Sequence, residues 1–372
     1  MKKYNSKNIY SIILVICVLL LVSFGILMVF SASKYQAEQI YGDKYFFLKK
    51  QVIGAVIGLA VMVAMYFLDV EKLRKLDWVV LAISIIGLVL VFVPGLGKTN
   101  YGASRWIRLG PVSVQPSEIA KLGFIFFSAS KLSQNKSDTK KFKSMLPTLL
   151  SGGLICLLII MEPNMSITMC VGLCMLTMLF VGGSSLLHFG LLLIPIVLLV
   201  PLLIIIEPYR LQRLSAYLDP WSSPLEEGFQ LIQSYYALGS GGATGVGYGN
   251  SRQKNLFLPF AESDFIFSII GEEFGFVVCV LVILVYLVIV ICGLKIAKNA
   301  NTRFKCYLAT GITALIAIQS LLNVAVVTGS IPPTGLPLPF ISAGSTSLVA
   351  FMGASGMLVS IARQGGKGKL ET

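Results

Sequence analysis

Asp264 ends a long polar segment, about Glu207 to Ser263, and opens a strongly apolar run. A carboxylate placed there is positioned to take a proton at the mouth of a membrane span. Ser268, Gly271 and Gly275 follow at helical spacing, so helix geometry predicts a narrow stripe of small residues below it. A Gly-xxx-Gly helix contact explains the two glycines without chemistry, but it does not explain the acid. Glu272 and Glu273 lie two to three turns into the same run. Charge at that depth needs a partner or a cavity, and the sequence leaves pairing with a neighbouring Lys or Arg and a substrate cavity equally open.

Cations complement these acids. Arg105 and Arg108 stand one helical turn apart around Trp106, and Arg210 and Arg213 repeat the same spacing at the start of the long segment. A guanidinium fork fits phosphate oxygens, so phosphate binding is favoured over headgroup anchoring for the first pair. Lys121 follows Glu118 by three residues, which favours an ion pair on one helix face over a role in binding. The glycines at 239, 241, 242, 245, 247 and 249 lack the strand and the Gly-Lys-Ser/Thr ending of a P-loop, so close packing or a hinge is expected and no nucleotide-driven step is indicated. Four prolines between Gly329 and Ser342 forbid a regular helix there, and irregular backbone at that depth must be buried or line a cavity. Gln319 and Asn323, one turn apart just before it, either line such a cavity or bond to a neighbouring helix.

These residues need a scaffold, and composition says which. With 56% hydrophobic and 13% charged residues, the 372-residue chain has too much apolar surface for a soluble domain. A bilayer span needs roughly 20 apolar residues. Runs near 9–30, 46–68, 78–94, 117–132, 145–162, 166–182, 186–206, 264–292, 306–328 and 344–362 meet or approach that length. The expected architecture is therefore all-α: a single polytopic membrane domain over 1–372 with about ten transmembrane helices. One long extracytoplasmic loop, 207–263, joins the seventh and eighth.

Orientation follows from Lys and Arg. Eighteen of the 30 fall in alternate loops and tails, including Lys2, Lys3 and Lys7, the cluster from Lys131 to Lys143, and Lys295 to Lys305. That bias places both termini in the cytoplasm and the long loop outside. Twelve of the 17 acids then lie on the outer side, eight of them between Glu207 and Glu273. The net charge of +13 is a topology signal together with attraction to anionic membrane lipids, and its dispersal among loops argues against nucleic acid. All seven cysteines fall in or beside apolar runs and the one histidine, His188, lies away from them, so neither a structural disulfide nor a zinc site is expected. The first run reads as an uncleaved span rather than a signal peptide.

The chain resembles the SEDS proteins (shape, elongation, division and sporulation), the group containing FtsW, RodA and SpoVE, over nearly its whole length. The resemblance rests on Phe30-Ser-Ala-Ser33, Arg105-Trp-Ile107, Gln115-Pro-Ser-Glu118, Asp219-Pro-Trp221, Gly228-Phe-Gln230 with Gln233-Ser234, Ser251-Arg-Gln-Lys254, Asp264-Phe-Ile-Phe267 with Gly271-Glu-Glu273, and Leu336-Pro-Leu-Pro-Phe-Ile-Ser342. The Ser251 to Lys254 segment is more similar to the FtsW/SpoVE branch than to RodA.

The resemblance implies a ten-helix peptidoglycan glycosyltransferase that polymerises lipid II at the outer membrane face beside a class B penicillin-binding protein, with Asp264 as the essential carboxylate. Arg105, Arg108, Lys121, Arg210 and Arg213 are then candidates to stabilise the departing lipid pyrophosphate, with Glu118 beside Lys121. No cofactor is required, and a divalent cation, magnesium or manganese, is a compatible helper. The family usually reads Leu-Pro-Glu before the aspartate, whereas this chain has Leu258-Pro-Phe260 and carries an acid at Glu262. Glu262 either replaces the missing carboxylate or the position is dispensable; Glu272 and Glu273 are further auxiliary acids. Ala343-Gly-Ser345 stands where the family tends to a Gly-Gly pair. A lipid II flippase and a non-catalytic scaffold for the penicillin-binding protein are the alternative readings.

Overall fold

The computed structural model describes residues 6–100, 103–109, 112–134, 142–185, 187–191, 194 and 208–365. Helices dominate because a chain in hydrocarbon must satisfy its backbone within each span. They are α1 (Ser6–Tyr41), α2 (Phe46–Phe67), the single turn α3 (Val70–Leu73), α4 (Asp77–Leu90), α5 (Pro116–Gln134), α6 (Phe142–Met161), α7 (Met165–Val181), α8 (Pro208–Leu218), α9 (Phe229–Gly241), α10 (Ile266–Lys298), α11 (Arg303–Val327) and α12 (Ser345–Gln364). Of these, α1, α2, α6, α10, α11 and α12 are long and apolar enough to cross a membrane. Helices α4, α5 and α7 coincide with three further expected spans, and most of the run at 186–206 lies outside the described residues.

Local chemistry sets several boundaries. Pro116 opens α5, where its missing N–H costs nothing. Asn164 Oδ1 accepts from Ile167 N at 3.3 Å to cap α7, and Thr302 Oγ1 accepts from Lys305 N at 3.3 Å to cap α11. Helix α5 is the interior element. It packs against α4, α6, α7, α11 and α12, and it buries Ser117, Glu118, Lys121, Ser128 and Ser130 together with its apolar residues. Its modest apolar content follows from facing protein rather than lipid.

Two features depart from the all-helical pattern. Strands β1 (Gly97–Asn100), β2 (Ala103–Leu109) and β3 (Val112–Val114) form a small antiparallel sheet before α5. Lys98 pairs with Trp106 and Thr99 with Ser104, so Arg105 is the extra residue of a bulge, a device that re-aims a side chain. The long polar segment is also not loose, since it carries α8 and α9. Helix α10 bends at Gly275 (φ 78°, ψ −176°), and the glycine segment fills the break. Val246 N and Gly247 N each donate at 2.9 Å, to Glu272 O and Glu273 O, and Phe276 N donates to Gly242 O at 2.9 Å. A Cβ on Gly241 would sit 1.9 Å from Gly271 O, and one on Gly245 would sit 2.2 Å from Glu273 O. The glycines therefore serve close backbone approach.

Candidate functional site

Asp264 lies two residues before α10 rather than on it, so the stripe expected beneath it starts from a turn. Ser268 and Gly271 do face a close neighbour, which is α9: Ser234 Oγ is 2.7 Å from Ser268 Oγ. Gly275 belongs to the bend. Ser263 N and Phe265 N both donate to Phe260 O, at 3.1 and 3.3 Å, closing a turn around the carboxylate. Phe260, the residue in place of the family's glutamate, adopts a left-handed φ of 55° there.

The proline-rich segment before α12 forms the opposite wall. Asn323 Nδ2 donates to Asp264 O at 2.8 Å and to Leu336 O at 2.7 Å, and Gln319 Nε2 donates to Pro337 O at 2.9 Å. Ser342 Oγ donates to Ser263 O at 2.6 Å, and Ala343 N to Glu262 O at 2.9 Å. Prolines cannot donate, so side chains from α11 stitch their carbonyls instead. A Cβ on Gly335 would meet Asp264 Oδ2 at 2.9 Å, so glycine keeps the carboxylate clear.

Burial pushes the half-buried Asp264 carboxyl up to about 6, against the opposing pull of Arg105 and then Arg213. A carboxylate with that value is largely ionised at neutral pH yet still a competent base. Glu262 is buried, and burial together with the neighbouring Asp264 charge pushes it up to about 7; one of its carboxyl oxygens, Oε2, has no hydrogen-bond partner among the described residues. Glu262 is thus close enough to Asp264 for the two charges to interact, which leaves both readings of the missing glutamate open.

The other candidates separate. Arg105 donates from Nε to Glu162 O at 3.2 Å and from Nη2 to Pro163 O, which fixes its fork while its charge acts on Asp264. Arg108 is exposed on the same strand. Because this segment is a strand and not a helical turn, the two arginines do not form the adjacent pair that their spacing suggests. Arg213 is exposed on α8 and acts on Asp264; Arg210 lies on the same helix, with its side chain outside the described residues.

Lys121 Nζ bonds Glu118 Oε1 at 2.7 Å and Gln319 Oε1 at 2.6 Å, with both ion-pair partners buried. It is therefore committed to a structural pair and reaches the proline segment only through Gln319. Glu273 pairs with Lys254 at 2.6 Å and accepts from Ser31 Oγ at 2.6 Å, both acid and base fully buried. Glu272 accepts from Arg252 N at 2.8 Å, Gln253 N at 3.3 Å and Ser251 Oγ. These two acids hold the Ser251 to Lys254 segment against α10 and α1: Glu273 is ion-paired to Lys254, whereas Glu272 is satisfied by main-chain N–H groups and a serine hydroxyl. Sequence reasoning missed Glu162; its signal is an acid at the end of a span, immediately before Pro163.

Comparison with known proteins gives a consistent result. Residues 11–367 match the FtsW/RodA/SpoVE family model, described as cell cycle protein. Stage V sporulation protein E of Bacillus subtilis is 40% identical, covering 96% of this chain and 98% of the relative. A probable peptidoglycan glycosyltransferase FtsW of Geobacter sulfurreducens is 37% identical, with 96% of each covered. Among solved structures, a chain of a peptidoglycan synthase complex, reported for its structural coordination of polymerization and crosslinking, is 27% identical with TM-score 0.77, over 95% of this chain and 98% of that one. Thermus thermophilus rod shape determining protein RodA, 24% identical with TM-score 0.70 over 95% and 96%, shares the fold.

Proposed function

The chain belongs to the FtsW/RodA/SpoVE family of cell cycle proteins, and from that premise we propose that it is a peptidoglycan glycosyltransferase polymerising lipid II at the outer face of the cytoplasmic membrane. Its place is in wall synthesis for division, elongation or the spore. The observation that carries this reading is Asp264, a half-buried carboxylate held between a turn and the proline-rich wall with Arg105 and Arg213 acting on it.

In the reaction, Asp264 takes the proton from a sugar hydroxyl of the acceptor as that oxygen attacks the anomeric carbon of the donor. The bond from that carbon to the lipid pyrophosphate breaks, and the leaving group carries away the electron pair. Arg105 and Arg213 stabilise the charge that develops on it. The donor already stores the driving energy, so no nucleotide enters. A magnesium or manganese ion would add charge at the pyrophosphate. Among the described residues no three His, Cys, Asp or Glu side chains converge to hold one, so substrate phosphates would supply much of its coordination.

The positive-inside bias supports cytoplasmic termini and an external site. A class B penicillin-binding protein is the proposed partner, supported by the likeness to a chain of a peptidoglycan synthase complex. The test is gel analysis of glycan made from lipid II by the purified protein with a cognate penicillin-binding protein whose transpeptidase is inactivated. Long uncrosslinked strands support the reading. Transfer of lipid II across vesicles without polymer would replace it with the flippase, and neither activity would leave the scaffold.

A further inference from the structure

Glu162 is a carboxyl with no visible task. It follows the last residue of α6, its side chain is 0% exposed, and neither Oε1 nor Oε2 has a hydrogen-bond partner among the described residues. Yet the main chain at this point is busy, because the carbonyls of Glu162 and Pro163 both accept from the Arg105 guanidinium. An acid therefore lies beside an arginine that its own backbone grips, and neither carboxyl oxygen hydrogen-bonds to it. An ionised carboxylate buried without a partner is far costlier than a protonated one. Burial pushes Glu162 up to about 8, with Arg105 opposing.

We propose that Glu162 is a positioning residue for the polymerisation: its turn grips Arg105 through main-chain carbonyls, while its own neutral carboxyl stays off the guanidinium and leaves it oriented toward Asp264 and the donor pyrophosphate. The role rests on the glycosyltransferase reading. Ionisation of Glu162 draws Arg105 into a carboxylate pair and adds a negative charge where an anionic group must bind. The charged group that acts on Glu162 is Arg105 on β2, and on α5, which packs against α6, Glu118 and Lys121 are closed on each other.

The test is steady-state polymerisation of lipid II by the full chain with its transpeptidase partner, from about pH 7 to about pH 9.5, reading KM and kcat separately. The wild-type KM for lipid II should rise at least about tenfold across this range, while kcat changes little. Glu162→Gln should bring the ratio of high-pH to neutral-pH KM close to one, and Glu162→Asp should restore the rise. An unchanged rise in Glu162→Gln, or no rise in the wild type, overturns the proposal.

Infrared titration provides a second readout that needs no turnover. A carboxylic-acid carbonyl band that is absent from Glu162→Gln should persist at neutral pH, disappear through about pH 8, and move to higher pH in Arg105→Gln. No such band refutes the neutral carboxyl. Failure of the wild type to polymerise under any condition would instead sink the polymerase reading, and the positioning role with it, while the titration still reports the charge state of Glu162.

Discussion

Replacing Asp264 by Asn separates the chemistry of the carboxylate from its place in the fold. The amide keeps the shape, and the main-chain carbonyl that accepts from Asn323 at 2.8 Å is untouched. What disappears is the base. Loss of general-base catalysis lowers turnover by about 10² to 10⁴, or roughly 3 to 5 kcal/mol on the barrier. Stability should move the other way. In the folded protein the carboxyl sits at about 6 against an ordinary 3.8. Folding is therefore penalised as pH rises from the lower value to the higher, and above the higher value the penalty is at most roughly 3 kcal/mol, less what partial exposure screens away.

An uncharged amide escapes that penalty, so Asp264→Asn should melt at or above the wild-type temperature at neutral pH, with the difference closing in acid. The assay is glycan polymerisation from lipid II alongside thermal unfolding in detergent. A correctly inserted Asn variant that polymerises at near wild-type rate would refute the base assignment, and Glu262 would be the next residue to test. A variant that is inactive and much less stable would show that the carboxylate holds structure instead.

Arg105→Lys should lower polymerisation more than Arg108→Lys, because Arg105 has its fork fixed by two carbonyls and its charge acts on Asp264; equal losses, read from kcat/KM for lipid II, would contradict separate roles for the two arginines. Lys254→Met leaves Glu273 buried without its cation and should destabilise the protein by about 3 to 5 kcal/mol, visible as a lower melting temperature, whereas exchanging both partners for apolar residues should recover much of the loss. A reporter fused after Lys143 or Lys298 should read cytoplasmic and one inserted near Gly242 external; a cytoplasmic reading at Gly242 would overturn the placement of the chemistry outside.

The sequence identifies the spans well because length and apolar content are what the bilayer itself selects. It also isolates Asp264, since a carboxylate at the lip of an apolar run has few structural excuses. What it does not show is how distant segments close on each other. Arg105 and Arg108 read as a pair by helical spacing, and only the sheet and its bulge separate them. Glu272 and Glu273 read equally well as paired or as cavity acids until the Ser251 to Lys254 segment folds back to satisfy them. Gln319 and Asn323 similarly need the proline segment opposite them before their amides have a purpose. Glu162 passes unremarked because an acid at a span end is ordinarily solvated, and its burial beside Arg105 is a tertiary fact.

The pH dependence of polymerisation in the wild type and in Arg213→Gln tests most directly whether Asp264 is a base tuned by its cations. Arg105 and Arg213 both hold the Asp264 carboxyl down against burial. The wild-type rate should therefore fall on the acid side around pH 6, and Arg213→Gln should move that limb to higher pH. An acid limb that stays at the same pH when the Arg213 charge is removed, or a rate that does not fall in acid at all, would contradict the account.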